Sequence, residues 1–522
     1  MIRPRHGRSS VPFLVLGILA GTLVAGGYLV FRAGRVEDYP LQPTRLFEQV
    51  LEHVRRHSVD SLPEGELFRR AADGLMQELD DEYASIHAAG EDVEFPADVG
   101  GLGLLLTARG GRISVLGVLP DSPAEQGGLR SGDQIAEVGE GIQDALGRDV
   151  VLAALDGDPG TEVQLRVRRP GVPQLLDFTL TRSTPIGGAV STIIDLGEGI
   201  WYVALRLPGG EAVQGLRAEL RQAVKEGARA LVLDLRGAAG GGVAEAVALA
   251  GLFLPPGSPA VTVRNRAGAE TAERTRSRGE FLDQELVVVV DGSTADAAEA
   301  LAGALQDNDR ALIVGAPSFG RGVSLEQFSV ARGAVLRLST ARWITPGGRI
   351  IQRERAAAPD SLQERPVFRT SAGREVRGGG GIVPDSLVSR NRRGEAELAL
   401  LRAVGAGLPA YDSIIRATAS ELAETGRVGS ERFQPSGADL SLVRRRADAR
   451  GVGPGDDARQ AEEAYVAREL GDWAVLRALG RAGLVRRAAQ REPALRLAIG
   501  VTRSAGSPAE LLGLADSAAS AR

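Results

Sequence analysis

The sequence predicts a multidomain chain of mixed α+β and α/β class. N-terminal helices come first, then a small strand-rich domain, then an α/β core with a mainly parallel sheet, then a helical C-terminal appendage. Three observations predict it. Leu286–Val290 is an unbroken apolar run, as a strand buried on both faces requires, and Ala230–Leu235 and Ala311–Val314 have the same character. Helical stretches alternate with these runs: Ala212 to about Glu226, Ala244–Leu252, and an Ala/Leu-rich segment beginning at or next to Asp296. From about Ser386 the composition shifts to Ala, Leu and Arg, with helical periodicity in Glu395–Val404, Tyr411–Glu424, Asp457–Leu479 and Pro508–Ala519.

At 522 residues, 43% hydrophobic and 25% charged, the chain has the length for about three domains and the apolar content for a good core. The net charge of −5 gives no reason to expect a nucleic-acid partner. With no cysteine, thiol catalysis, disulfides and cysteine-bound metal are excluded. Only one of the 62 basic residues is a lysine, Lys225, and the four histidines (His6, His53, His57, His87) all precede residue 90. No cofactor is expected. His53 and His57 are four apart on a helix but have no third ligand nearby, so the reading is a solvated helix face and no metal site.

The N-terminal segment, 1–40, carries an uncharged run of 21 residues, Val11 to Phe31, long enough to span a bilayer. Arg3, Arg5 and Arg8 precede it, which places the N-terminus in the cytoplasm and the rest outside. The expectation is a single-pass inner-membrane anchor with the bulk of the chain periplasmic or its equivalent; a cleaved signal peptide is the rival. Residues 41–97 read as helices, with Leu46, Phe47, Val50, Leu51 and Val54 at helical spacing, then Leu67, Ala71, Leu75, Met76 and Leu79.

In the segment 98–185, GLGLLL (Gly101–Leu106) precedes ISVLGVLPDSPAEQGGLRSGDQIAEV (Ile113–Val138). Together these resemble a PDZ domain, whose pattern P-x-S-P-A-x-x-x-G-L-x-x-G-D-x-I is matched nearly residue for residue. The resemblance implies that backbone N–H groups near Gly101, Leu102, Gly103 and Leu104 hold a peptide's terminal carboxylate. The peptide would add a strand to the exposed sheet edge, with a helix near Val150–Leu155 supplying the pocket for its last side chain.

The core, 186–388, starts at Ile200–Leu207. Its organising stretch, Leu286 to Gly322, reads LVVVVDGSTADAAEALAGALQDNDRALIVGAPSFGRG. This resembles the tail-specific, or carboxyl-terminal processing, serine proteases, whose pattern is G-S-A-S-A-S-E, then A-G-A-L-Q-D, then F-G-K-G-x-x-Q. Arg236–Gly242 (RGAAGGG), Arg342–Gln352 (RWITPGGRIIQ), Gly378–Asp385 (GGGGIVPD) and Leu79–Ser85 (LDDEYAS) are similar to further landmarks of that family, and the likeness runs from about residue 43 to 388. Anchoring on Glu299 and Ala302–Asp307, the resemblance puts Asp296 at the nucleophile position, Arg321 at that of the basic lysine and Leu325 at that of the glutamine. It also implies an oxyanion hole at Gly240, Gly241 and the Ala297 N–H.

A serine–lysine protease needs a hydroxyl to attack and a neutral amine to take its proton. Asp296 has no hydroxyl, and an arginine keeps its proton at physiological pH. Lys225 sits near the end of a surface helix, and no histidine lies in the core to build a Ser-His-Asp triad. Ser293, Ser318 and Ser324 would each lack a base. A carboxylate at a helix N-terminus facing an arginine forms instead a favourable charge-assisted pair. The reading is therefore a pseudoprotease binding the C-termini of exported proteins through its PDZ domain, as scaffold, decoy or regulator. Two alternatives stay open: an active serine-type endopeptidase cleaving near substrate C-termini, and hydrolysis with Asp296 as the base. For the helical domain, 389–522, the sequence offers no chemistry, and it leaves the oligomeric state unassigned.

Overall fold

The computed structural model describes residues 43–513, apart from 61, 80, 89–98, 110–111, 140–141, 144–147, 185–189, 207–211, 331–332, 355–361, 389–394 and 456–457. The expected anchor at 11–31 lies outside the described residues. Helices α1 (Pro43–His57) and α2 (Glu64–Glu78) form where the apolar spacing predicts them. On α1 the apolar stripe of Leu46, Phe47 and Val50 is about half exposed, and the rings of His53 and His57 stack at 5.7 Å.

After β1 (Ser85–Ala88), a small antiparallel unit begins with β2 (Leu104–Arg109) and β3 (Arg112–Val118). It continues through α3 (Pro123–Gly127), β4 (Gln134–Val138), β5 (Ile142–Gln143) and α4 (Arg148–Leu155), and closes with β6 (Glu162–Arg168) and β7 (Leu175–Thr181). The strand order is β2-β3-β4-β6-β7, with β5 on β4, so β2 is an edge strand. Ser122 caps α3 by accepting the Glu125 N–H at 3.1 Å, and Pro123 takes the first helical position, where no N–H is needed.

The larger sheet follows from β8 (Val190–Asp195), β9 (Ile200–Leu205), α5 (Ala212–Lys225), β10 (Ala230–Asp234) and α6 (Val243–Phe253). The hairpin β11 (Pro259–Asn265) and β12 (Glu270–Arg274) interrupts it before β13 (Glu285–Val290), α7 (Ala297–Asp307) and β14 (Leu312–Gly315). Then come β15 (Val323–Val330), β16 (Ala334–Ile344), the short pair β17 (Val367–Arg369) and β18 (Glu375–Arg377), and β19 (Ser386–Leu387). The main sheet runs β19-β14-β13-β10-β9-β8, parallel throughout except for β8 on β9. A second sheet joins β1, β16, β11 and β12, with β15 on β16.

The apolar strands are buried on both faces because helices cover both. Leu231, Leu233, Val288 and Val290 pack with α5, α6 and α7 on one side. Val232, Val287 and Val289 alternate to the other side, against the C-terminal helices. Lys225 ends α5 in an exposed position, as expected.

The C-terminal helices are α8 (Glu395–Val404), α9 (Leu408–Glu424), α10 (Gly437–Ala449), α11 (Arg459–Arg491) and α12 (Pro493–Ser504). The sequence reading missed α10 and α12 and ended α11 at Leu479. A run of arginines blurs the apolar period of α10, whereas Ser436 gives it a full capping box with Asp439. The chain does break beside Leu479, at Gly480 (φ 68°, ψ −169°), but turns back into helix at once. Among the described residues, the continuous run Glu395–Glu424 is long and apolar enough to cross a membrane by length and composition, and half of its apolar window is buried inside the molecule.

Candidate active site

Three loops meet at the carboxyl end of the parallel strands, where α/β sheets place ligands. The turn after β13 is tied to the one after β10: Thr294 Oγ1 donates to the Leu235 carbonyl at 2.8 Å, and the Ala295 N–H to the Ala238 carbonyl at 2.8 Å. It is tied equally to the loop after β14, whose Phe319 N–H donates to the Thr294 carbonyl at 2.9 Å. At the corner between turn and helix stands Asp296, with φ 59° and ψ −127°. An L-residue held there stores about 1–3 kcal/mol of strain, and the surrounding bonds keep the bend in place.

That bend carries the Asp296 side chain towards Arg321, 25 residues on. Nε and Nη2 of Arg321 donate to Oδ1 and Oδ2 of the carboxylate, a bidentate pair. The Gly240 N–H donates to the same Oδ2 at 2.8 Å. The acid thus occupies the donor of the glycine-rich loop as well as the guanidinium. The Ala297 N–H faces the Gly240 carbonyl at 3.4 Å, while Gly241 (φ 70°) turns the loop towards α6. Asp296 and Arg321 side chains are only 12% and 11% exposed. Burial works against the Arg321 charge, but the adjacent Asp296 carboxylate outweighs it and holds the guanidinium above its ordinary pKa. Arg321 also lies 5.8 Å from the Phe319 ring and reaches Thr107 Oγ1 of β2 at 3.3 Å.

Beneath this pair lies Glu299, fully buried in α7. Its carboxylate accepts the Ser318 hydroxyl at 2.5 Å, the Gly320 N–H at 2.7 Å and the Arg321 N–H at 2.8 Å. Burial pushes its pKa up to about 7, and those hydrogen bonds only partly offset the loss of water. Glu299 anchors the family resemblance, but this role does not follow from that resemblance. An acid inside AAEALAGAL, a helix otherwise of Ala, Leu and Gly, was the signal.

Other residues enter from distant segments. Tyr83, buried between β1 and α2 in sequence, feels the Arg321 charge, and burial raises its phenol pKa well above the ordinary value. Gln352 Oε1 accepts the Gly322 N–H at 3.2 Å, so a glutamine does reach the F-G-R-G turn, though from another loop. Leu325 sits on β15 opposite Ser339, next to a bulge. Ser293 is 2.6 Å from Ser131 of the small unit, and Ser324 accepts the Trp343 indole N–H at 2.9 Å.

In the small unit, Gly101 (φ 62°) and Gly103 (φ 75°) bend the loop that leads into β2. The Gly101, Leu102 and Gly103 carbonyls accept N–H groups of Ser183 (3.2 Å), Ala124 (2.9 Å) and Leu119 (2.8 Å), which fixes the loop before Leu104 starts the strand. A Cβ on Gly103 would fall 2.0 Å from that of Ser122, so only glycine fits.

Residues 200–361 match the family description of peptidase family S41. A carboxyl-terminal-processing protease of Picosynechococcus is 31% identical over 313 residues, covering 58% of this chain and 74% of the relative. Its counterpart in Synechocystis is 33% identical over 272 residues, 51% of this chain, and the carboxy-terminal processing protease CtpA of Bacillus subtilis is 27% identical over 316 residues, 59% of this chain. The chain spans 63% and 66% of the lengths of these last two. The photosystem II D1 C-terminal processing protease has the same fold, with a TM-score of 0.51 and 23% identity over 66% of this chain and 86% of that one. The chain belongs to the carboxyl-terminal-processing proteases of peptidase family S41.

Proposed function

We propose that this protein is a pseudoprotease: an exported, membrane-anchored relative of the carboxyl-terminal-processing proteases that binds protein C-termini and does not cleave them. The observation that carries this reading is the bidentate bond from Arg321 to Asp296, with the Gly240 N–H on the same carboxylate. At the position expected of a nucleophile stands a group with no hydroxyl. At the position expected of a base stands a cation that its partner holds charged. The oxyanion donor expected at Gly240 is bonded to a resident anion, which a substrate carbonyl would have to displace.

Peptide capture falls to the small unit, read as a PDZ domain spanning 98–185. Support comes from the glycine-bent loop at Gly101–Leu104 and from the edge position of β2, which suits strand addition. The arginines at 3, 5 and 8 before the apolar run 11–31 support an anchor with the body outside the cytoplasm. The test is digestion of casein and of peptides with apolar C-termini by the purified full chain. No cleavage is expected, and no labelling by serine-directed reagents. Turnover by pure protein overturns the reading.

A further inference from the structure

We infer that α11 is a strap that holds the small antiparallel unit over the Asp296–Arg321 pair, with the break at Gly480 joining its two limbs. This concerns how the domains are joined and stands whether or not the site cleaves anything.

The two limbs of α11 belong to different cores. Before Gly480, Tyr465, Val466, Leu470 and Val475 share one apolar cluster with Leu176, Phe178 and Leu180 of β7. After it, Val485 and the neighbouring Ala482, Ala488 and Ala489 join the cluster on the main sheet with Val287, Val289 and Val314. Polar contacts fasten both ends. Arg130 of the small unit reaches Tyr465 at 3.0 Å and Asp412 and Glu469 at 3.3 Å. Arg481, immediately past the break, pairs with Glu125 at 2.7 Å and Asp121 at 3.0 Å. At the far end Glu492 pairs at 2.7 Å with Arg236, the first residue of the glycine-rich loop that donates to Asp296.

Gly480 is needed for its backbone alone. Its φ of 68° with ψ of −169° lies in a region essentially restricted to glycine, and a Cβ there would meet nothing within 4 Å. The break lets one helix serve two cores that face different ways. What the strap holds down is the covering of the site: Thr107 on Arg321, Ser131 on Ser293, and Leu105, Leu116 and Leu119 packed on Ala239 and Ala295.

The chain's lack of cysteine permits a direct test in the full-length protein. Ser131→Cys and Ser293→Cys place two thiols where the hydroxyls lie 2.6 Å apart, and their oxidation by glutathione disulfide reports closure. A flexible Gly-Ser insert after Gly480 replaces a rigid join by a loose one and lowers the effective concentration of the two surfaces. Cross-linking is expected to slow about ten-fold, with faster hydrogen exchange at residues 236–242. Arg481→Glu, which repels Asp121 and Glu125 and leaves both cores intact, is expected to move both readouts the same way. It decides the matter if the insert does not fold. A folded variant of either kind that cross-links at the parent rate with unchanged exchange overturns the strap.

Discussion

Glu299 holds Arg321 by its backbone while Asp296 holds it by its side chain. One carboxylate accepts the Arg321 N–H at 2.8 Å, and the other takes the guanidinium in a bidentate bond. Two acids three residues apart, one at the N-cap of α7 and one in its first turn, thus fix both ends of a residue from another loop.

This arrangement predicts a pH dependence. The Glu299 pKa is raised to about 7 from 4.5, so the folded state binds its proton more tightly than the unfolded chain does. Stability from this group is fully present below pH 4.5 and is lost as pH rises through 7. The loss amounts to roughly 3 kcal/mol. The difference in unfolding free energy between parent and Glu299→Gln should change by about that amount between pH 4 and 8, moving against the parent. A flat difference would show that Glu299 titrates normally.

Removing Asp296 should unsettle the fold locally. Asp296→Ala leaves Arg321 buried without its counter-charge, at a cost of about 3–5 kcal/mol by denaturant unfolding. Asp296→Ala with Arg321→Leu should recover most of that, because removing both partners removes the unpaired charge. A single variant as stable as the parent would mean that solvent reaches the guanidinium.

On the proposed reading, a hydroxyl alone should not give activity. Asp296→Ser alone should remain inert in a casein assay, since Arg321 cannot take a proton. Asp296→Ser with Arg321→Lys and Leu325→Gln supplies nucleophile, base and amide, and frees the Gly240 N–H for an oxyanion. Slow cleavage by the triple variant is expected. Continued silence would point to the alanines at 238 and 239 as a further block.

Peptide binding should depend on a free terminal carboxylate. Peptides with apolar C-termini are expected to bind the full chain at micromolar affinity or weaker, and their amidated forms to lose about ten-fold. Gly103→Ala should abolish both, because its Cβ would collide with Ser122. Equal binding of acid and amide would remove the carboxylate loop from the account.

Much of this was readable from residues one after another. The run at 286–290 announced a strand covered on both sides, and the resemblance to the carboxyl-terminal processing proteases, which puts Asp296 and Arg321 at paired positions, implied their meeting. What was not readable came from segments far apart in the chain. Thr107 touches Arg321 across 214 positions, and the Arg481 pairing with Glu125 spans 356; neither leaves a local pattern. The helix end expected at Leu479 falls where the backbone does break, at Gly480. Only packing on two separate cores makes the chain resume the helix beyond it.

The bend at Asp296 belongs to the main chain, and the bonds that hold it run through Thr294, Ala295 and Phe319. None of those bonds uses the Asp296 side chain. On the proposed reading, activity and silence at this address would differ by a handful of side-chain atoms on one backbone.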